Sequence, residues 1–178
     1  MVPTSHLDGD MMERRIYLNG FMGSGKSTIA RELGEQRGWP YRDLDAVIEK
    51  RENTTIPEIF EEVGEQPFRD METRYLEEFS GRTPPFILAC GGGTPIRRHN
   101  REIMGETGVA IHLDVDVKTI MDRIGEDPHR PLFQNREQVE SLFETRQQFY
   151  EQLPYTVDTT ECSPQEVIEK LLVRVPFF

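Results

Sequence analysis

The stretch Gly20-Phe21-Met22-Gly23-Ser24-Gly25-Lys26-Ser27 decides how the rest of the chain is read. It fits G-x-x-x-x-G-K-[ST], and that spacing has a chemical reason. Glycines let a loop curl so that successive backbone N–H groups point inward at phosphate oxygens. A helix opening at the end of the loop adds its positive pole. Lys26 supplies a point charge at the β- and γ-phosphates, and the Ser27 hydroxyl can bind Mg²⁺. A glycine-rich surface turn could carry the same letters, but the flanks argue against it. Arg15–Asn19 (RIYLN) reads as a strand, and Lys26–Arg37 reads as a helix stopped near Gly38. A phosphate cradle between strand and helix implies a bound nucleotide. It does not say what the nucleotide acts on.

Outward from the cradle, short apolar runs alternate with amphipathic stretches. Residues 40–44 read as a short second strand, followed by helical patterns at 45–51, 56–63 and 65–79. Residues 86–90 (FILAC) form a continuous apolar run, as expected of a strand buried on both faces. Residues 109–115 form another strand, 117–124 a helix, 125–135 a loop and 136–153 a long helix. Tyr155–Asp158 reads as a last strand, and Ser163 caps a final helix with Pro164 at its first position. Strands alternating with helices predict a parallel sheet covered on both sides, with ligands at the carboxyl ends of the strands.

The 178 residues suit one domain. Residues 13–178 read as that domain, and residues 1–12 as a polar extension expected to be disordered. A net charge of −11 argues against a protein that coats nucleic acid or binds a membrane surface, since both need positive fields. A small anionic ligand answers to local charge instead. Cys90 and Cys162 are too few for a disulfide framework or a four-thiolate zinc site and read as reduced thiols. No apolar run reaches the roughly 18 residues that span a bilayer. No apolar core of a signal peptide is seen at the start, and Asp8 and Asp10 argue against a transit peptide. A cytoplasmic location is the expectation.

Four further clusters bear on the acceptor. Asp43-Leu44-Asp45 lies just past the second strand, and an extended chain would put both carboxylates on one side. Alone, such a pair is ordinarily solvated. Gly64-Glu65 precedes Phe68-Arg69-Asp70-Met71-Glu72, where Arg69 and Glu72 are three apart on a helix and can touch. A surface ion pair of that kind is worth at most about 1 kcal/mol. Gly91-Gly92-Gly93 closes the buried strand and would let backbone approach a ligand, or simply form a loose turn. Arg130-Pro131-Leu132 falls in the 125–135 loop, and Arg146 and Tyr150 share a helix.

Taken together and in this order, these clusters resemble shikimate kinases across almost the whole chain beyond the extension. The family pattern is a GFMGSGKS loop, a D-x-D after the second strand, G-E-x-x-F-R-x-x-E, a GGG strand end, an R-P-L lid and an R-x-x-x-Y helix. The resemblance implies an α/β fold, an αβα sandwich on a five-stranded parallel sheet of the P-loop, nucleoside-monophosphate-kinase-like type. It implies transfer of the γ-phosphoryl group of ATP to the 3-hydroxyl of shikimate, a step of chorismate and aromatic amino acid biosynthesis. Gly23, Ser24, Gly25, Lys26, Ser27 and Thr28 would hold the nucleotide, with Arg123 along the adenine. Ser27 and Asp43 would hold Mg²⁺, Asp43 through water. Asp45 would face the reacting hydroxyl, Arg69 and Arg146 would bind the carboxylate, and Glu72 would orient Arg69. Gly91, Gly92 and Gly93 would line the ring, while Arg130, in a lid over residues 125–135, would reach the transferring phosphate. The implied catalytic set is thus Asp45, Lys26 and Arg130.

The chemistry agrees, because an acidic protein must gather arginines locally to hold a small carboxylate, and guanidinium forks suit that group. Phosphoryl transfer asks for positioning and charge neutralisation more than for a strong base. The expected partners are shikimate and ATP, with no nucleic acid, no membrane and a monomeric chain. Two other readings compete with this one. Another small-metabolite kinase, such as a gluconate kinase, has less use for the Arg69/Glu72 pair and the glycine run. A non-catalytic nucleotide-binding module needs no acid on the acceptor side. The 86–90 strand ends without the aspartate that many P-loop enzymes use for magnesium, which shifts weight onto Asp43 and Ser27. His129, beside Glu126 and Asp127, reads as lid surface, and His99 and His112 read as structural.

Overall fold

The computed structural model describes residues 15–125 and 136–175. The polar extension, Arg130, His129 and most of the expected lid lie outside the described residues. Five strands alternate with eight α-helices among the described residues: β1 (Arg15–Asn19), α1 (Lys26–Arg37), β2 (Tyr41–Asp43), α2 (Leu44–Glu52), α3 (Ile56–Glu62), α4 (Glu65–Ser80), β3 (Phe86–Ala89), α5 (Arg98–Thr107), β4 (Val109–Asp114), α6 (Val117–Gly125), α7 (Arg136–Tyr150), β5 (Tyr155–Asp158) and α8 (Pro164–Arg174). A single 3-10 turn, Thr94–Ile96, follows β3.

The sheet runs β2-β3-β1-β4-β5, and every neighbouring pair is parallel. From β1 the chain crosses to the sheet edge at β2, returns to β3 beside β1, and then crosses to β4 and β5 on the other side. The loops after β1 and β3 therefore diverge over adjacent strand ends, which opens a crevice there. The cradle follows β1 and the glycine run follows β3, so topology alone brings them side by side.

Alternation along β1 explains both cores. Ile16 and Leu18 point to one face, against Ile29 and Leu33 of α1 and Ile168 and Leu171 of α8. Tyr17 points to the other, with Leu44, Ile48, Leu76, Phe79 and Met104 from α2, α4 and α5. A strand with both faces covered has no polar side to show, hence the unbroken FILA of β3. Phe21, Val115, Ile120, Val139 and Tyr150 form a smaller cluster beneath α6 and α7.

The five-stranded parallel sheet expected from the sequence is present. Ser163 caps α8 as read, in a full capping box with Glu166. Three details differ. Helix α5 and the 3-10 turn carry no strong sequence signal, because the buried face of α5 holds Asn100 beside Ile103 and Met104. Helix α7 ends at Tyr150 rather than at residue 153, since Pro154 pushes the residue before it away from helical geometry. Asp43 and Asp45 do not lie on an extended chain. Asp43 is the N-cap of α2, and Asp45 sits in the first turn of that helix.

Candidate functional site

The cradle is built as its spacing requires. Gly25, at φ +92°, is the N-cap of α1 and supplies no side chain to satisfy the first N–H groups of the helix. Those donors face the loop mouth together with the positive end of the helix, an arrangement that fits phosphate oxygens. Lys26 Nζ lies within the loop, donating to the carbonyls of Gly20 at 2.8 Å and Phe21 at 2.9 Å. Ser24 is buried, its N–H bonded to Phe21 O at 3.2 Å and its Oγ without a partner among the described residues. Gly23 turns its carbonyl to Arg123, whose Nη1 donates at 2.8 Å, while Nη2 reaches Thr159 O at 3.5 Å. Arg123 thus ties α6 to the cradle and to the loop after β5. Thr28 lies in the first turn of α1.

The Ser27 hydroxyl meets Asp43 Oδ2 directly. Asp43 Oδ1 caps α2 through Ala46 N at 3.1 Å. A hydroxyl and a carboxylate at the edge of a phosphate cradle form an all-oxygen donor set, which fits a hard divalent cation such as Mg²⁺. A surface groove of about 470 Å³, lined partly by Trp39 and Tyr41, opens beside this pair. Its lining includes neither Arg69, Arg146 nor the glycine run, so the chemistry converges elsewhere.

That convergence is over Gly91–Gly93. A Cβ added at Gly91 would fall 2.5 Å from Glu72 Oε1 and 2.7 Å from Asp45 Oδ1. One at Gly92 would lie 3.1 Å from Arg146 Nη1, 3.6 Å from Gly20 O and 3.8 Å from Met22 N. One at Gly93 would collide with the guanidinium of Arg69. The absent side chains make room for two acids and two arginines directly beside the cradle. This is a more specific reason for three glycines than a loose turn or a bare approach of backbone to ligand.

Arg69 and Glu72 are not a surface pair. Arg69 is 6% exposed and Glu72 fully buried, with Arg69 Nη1 donating to Glu72 Oε2 at 2.5 Å. Arg69 Nη2 also reaches Glu65 Oε1 at 3.1 Å. Arg146 extends from α7 across the Phe21 ring, its Cζ 5.7 Å from the centroid. Its buried Nε finds no partner among the described residues, and neither does Asp45 Oδ1. An unanswered guanidinium donor and an unanswered carboxylate oxygen, both buried, fit an acceptor that carries an anionic group and a hydroxyl. Burial, with Asp43 and Glu72 adding to it, pushes the Asp45 carboxyl up to about 7 against the pull of Lys26 and Arg69. A carboxylate of that proton affinity can accept a hydroxyl proton.

Tyr150 extends the site in a way the sequence only hinted at. Its hydroxyl donates to Gly92 O at 2.6 Å, and its ring stacks on His112 with centroids 4.8 Å apart. Burial pushes the phenol up to about 12, so it remains a donor. His112 is buried under that ring, in keeping with a structural role, and desolvation lowers its proton affinity. His99, on the outer face of α5, meets Glu77 at 3.0 Å. No group of three metal-ligating side chains of the His/Cys/Asp/Glu type occurs among the described residues.

A family model described as shikimate kinase matches residues 22–176. A shikimate kinase of Persephonella marina is 40% identical over 163 residues, spanning 91% of this chain and 99% of the relative. A shikimate kinase from Acinetobacter baumannii, solved in complex with shikimate, is 34% identical, with a TM-score of 0.84 over 93% of this chain and 94% of that one. A gluconokinase from Sinorhizobium meliloti shares the fold, at 17% identity and a TM-score of 0.54.

Proposed function

The chain belongs to the shikimate kinase family, and from that membership we propose its reaction and the residues that carry it. The chain is an ATP-dependent small-molecule kinase that phosphorylates the 3-hydroxyl of shikimate, giving shikimate 3-phosphate and ADP on the route to chorismate. One observation carries the residue assignment: Asp45, Arg69 and Arg146 converge on Gly91–Gly93 within reach of the loop that holds phosphate.

Arg69 and Arg146 hold the shikimate carboxylate from two sides, and Glu72 keeps Arg69 aimed. The ring lies against Gly91–Gly93, where no Cβ intervenes. Asp45 faces the 3-hydroxyl, orients it and takes up its proton as the phosphorus–oxygen bond forms. Lys26 and the uncapped N–H groups of α1 hold the phosphates, with Gly23, Ser24, Gly25 and Thr28 shaping the cradle. Arg130, in the segment 125–135 proposed as a lid, neutralises charge on the transferring phosphate, and Arg123 lies along the adenine. Ser27 and Asp43 would hold Mg²⁺, which supplies charge neutralisation at the phosphates when bound.

The acidic chain acts as a monomer on two small molecules, without nucleic acid or membrane. No described helix is long and apolar enough to cross a membrane. A cytoplasmic setting suits a step that consumes ATP and a chain whose cysteines are free.

The test is coupled ADP release with shikimate, with gluconate and with no acceptor. Turnover with shikimate alone is the expected result. Turnover with gluconate, or equal release without acceptor, would contradict the assignment.

A further inference from the structure

The polar contacts that hold Arg69 do not end at Glu72. Glu72 is fully buried and has two oxygens to satisfy. Oε2 takes the Arg69 guanidinium. Oε1 accepts from the hydroxyl of Thr94 at 2.7 Å, and Thr94 is also without solvent exposure. The backbone of Thr94 is fixed on both sides. Its N–H donates to Gly91 O at 3.0 Å, and its carbonyl accepts from Asn100 Nδ2 at 2.9 Å. Asn100 is 1% exposed and returns the chain to α4, where Thr73 Oγ1 donates to Asn100 Oδ1 at 2.8 Å. Helix α4, the glycine run, the 3-10 turn and α5 are thereby locked into one buried polar network.

We infer that Thr94 is a positioning residue for acceptor binding: its hydroxyl fixes Glu72, and Glu72 in turn fixes the Arg69 guanidinium toward the acceptor's carboxylate. The inference rests on the reading of the site as a shikimate pocket. An ionised carboxylate only accepts hydrogen bonds, so a buried oxygen must find a donor. The side chain that crowds the same Gly91 is Asp45, which when ionised offers no donor and repels Glu72. Without the Thr94 hydroxyl, the nearest remedy for Oε1 is Arg69 itself. Glu72 would then take the guanidinium with both oxygens and draw it from the acceptor.

Shape and donor can be separated by substitution. Thr94→Val keeps the shape and removes the donor. Thr94→Ser keeps the donor and removes a methyl. With ATP saturating, Thr94→Val should raise the KM for shikimate about tenfold, the scale of a hydrogen bond to a charged group. Its kcat should stay within about threefold, and its KM for ATP should not change, because the network touches the acceptor side only. Thr94→Ser should stay within about twofold of the parent. In an Arg69→Ala background, Thr94→Val should add less than about twofold, because the group it positions is gone.

Equal shikimate KM in Thr94→Val and the parent would overturn the inference, as would an undiminished effect in the Arg69→Ala background. Thr94→Ser failing as badly as Thr94→Val would mean that packing, not the hydroxyl, matters. Thr94→Ala carries the same expectation as Thr94→Val if the latter does not fold, and failure of both to fold would leave Thr94 a purely structural residue. A parent chain that transfers nothing to shikimate overturns the reading of the pocket, and the inference with it. An active parent with an unaffected Thr94→Val overturns the inference alone.

Discussion

At Gly93 a single hydrogen in place of a methyl decides whether Arg69 can sit where it does. Gly93→Ala would force the guanidinium aside, and overpacking of this kind costs about 1–3 kcal/mol. If most of that cost falls on acceptor binding, the KM for shikimate should rise about tenfold or more. Steady-state kinetics should show the KM for ATP unmoved, and a rise in both constants would place the damage in the fold instead. Asp45 is argued on different grounds, since it is enclosed between like charges and has an oxygen without a partner. Asp45→Asn should lower kcat by about 10²–10⁴, the range for a positioned acid–base group. Shikimate binding, read by calorimetry, should persist. A change confined to the KM for ATP would move Asp45 to the nucleotide side.

Among the elements, α1 does the most with the least side chain. Its N-terminus is capped by a glycine, so the helix offers free N–H groups where most helices spend them on a side-chain cap. Lys26 adds a positive charge inside that frame, its ammonium held by the carbonyls of Gly20 and Phe21. Lys26→Met should nearly abolish transfer, because charge stabilisation of this kind is worth several kcal/mol. The circular dichroism spectrum should be preserved, as Lys26 packs into neither large core. A variant turning over within about twofold of the parent would remove Lys26 from the phosphoryl-transfer machinery. Helices α4 and α7 supply the acceptor side. One presents Arg69 and Glu72 from a single turn, the other Arg146 and Tyr150. Each pair is three or four residues apart, the separation at which side chains share a helix face.

For the whole molecule, much was legible because local and long-range signals agree. The cradle's letters, its flanking strand and helix, and the apolar run of β3 together dictate a parallel sheet with its site at the strand ends. What stayed hidden has physical reasons. Asp43 and Asp45 share a site although the chain between them turns helical, a geometry that alternation cannot express. The Arg69/Glu72 spacing is identical for a surface pair and a buried one, and only the packing of α4 on the glycine run distinguishes them. Thr94, Asn100 and the whole of α5 escaped because their importance is polar and buried, and periodicity detects apolar faces. On the proposed reading, Arg69 and Arg146 meet at the glycine run to bind one carboxylate. Removing either arginine should weaken shikimate use at least about tenfold, the low end for breaking a desolvated charge pair. Removing both should cost less than the sum, since they share one group. The most direct measurement compares shikimate with an analogue whose carboxylate is a neutral amide, in the parent and in the Arg69→Ala/Arg146→Ala double variant. The parent should discriminate strongly against the amide and the double variant little; equal discrimination by both would place the carboxylate elsewhere and overturn the shared-clamp assignment.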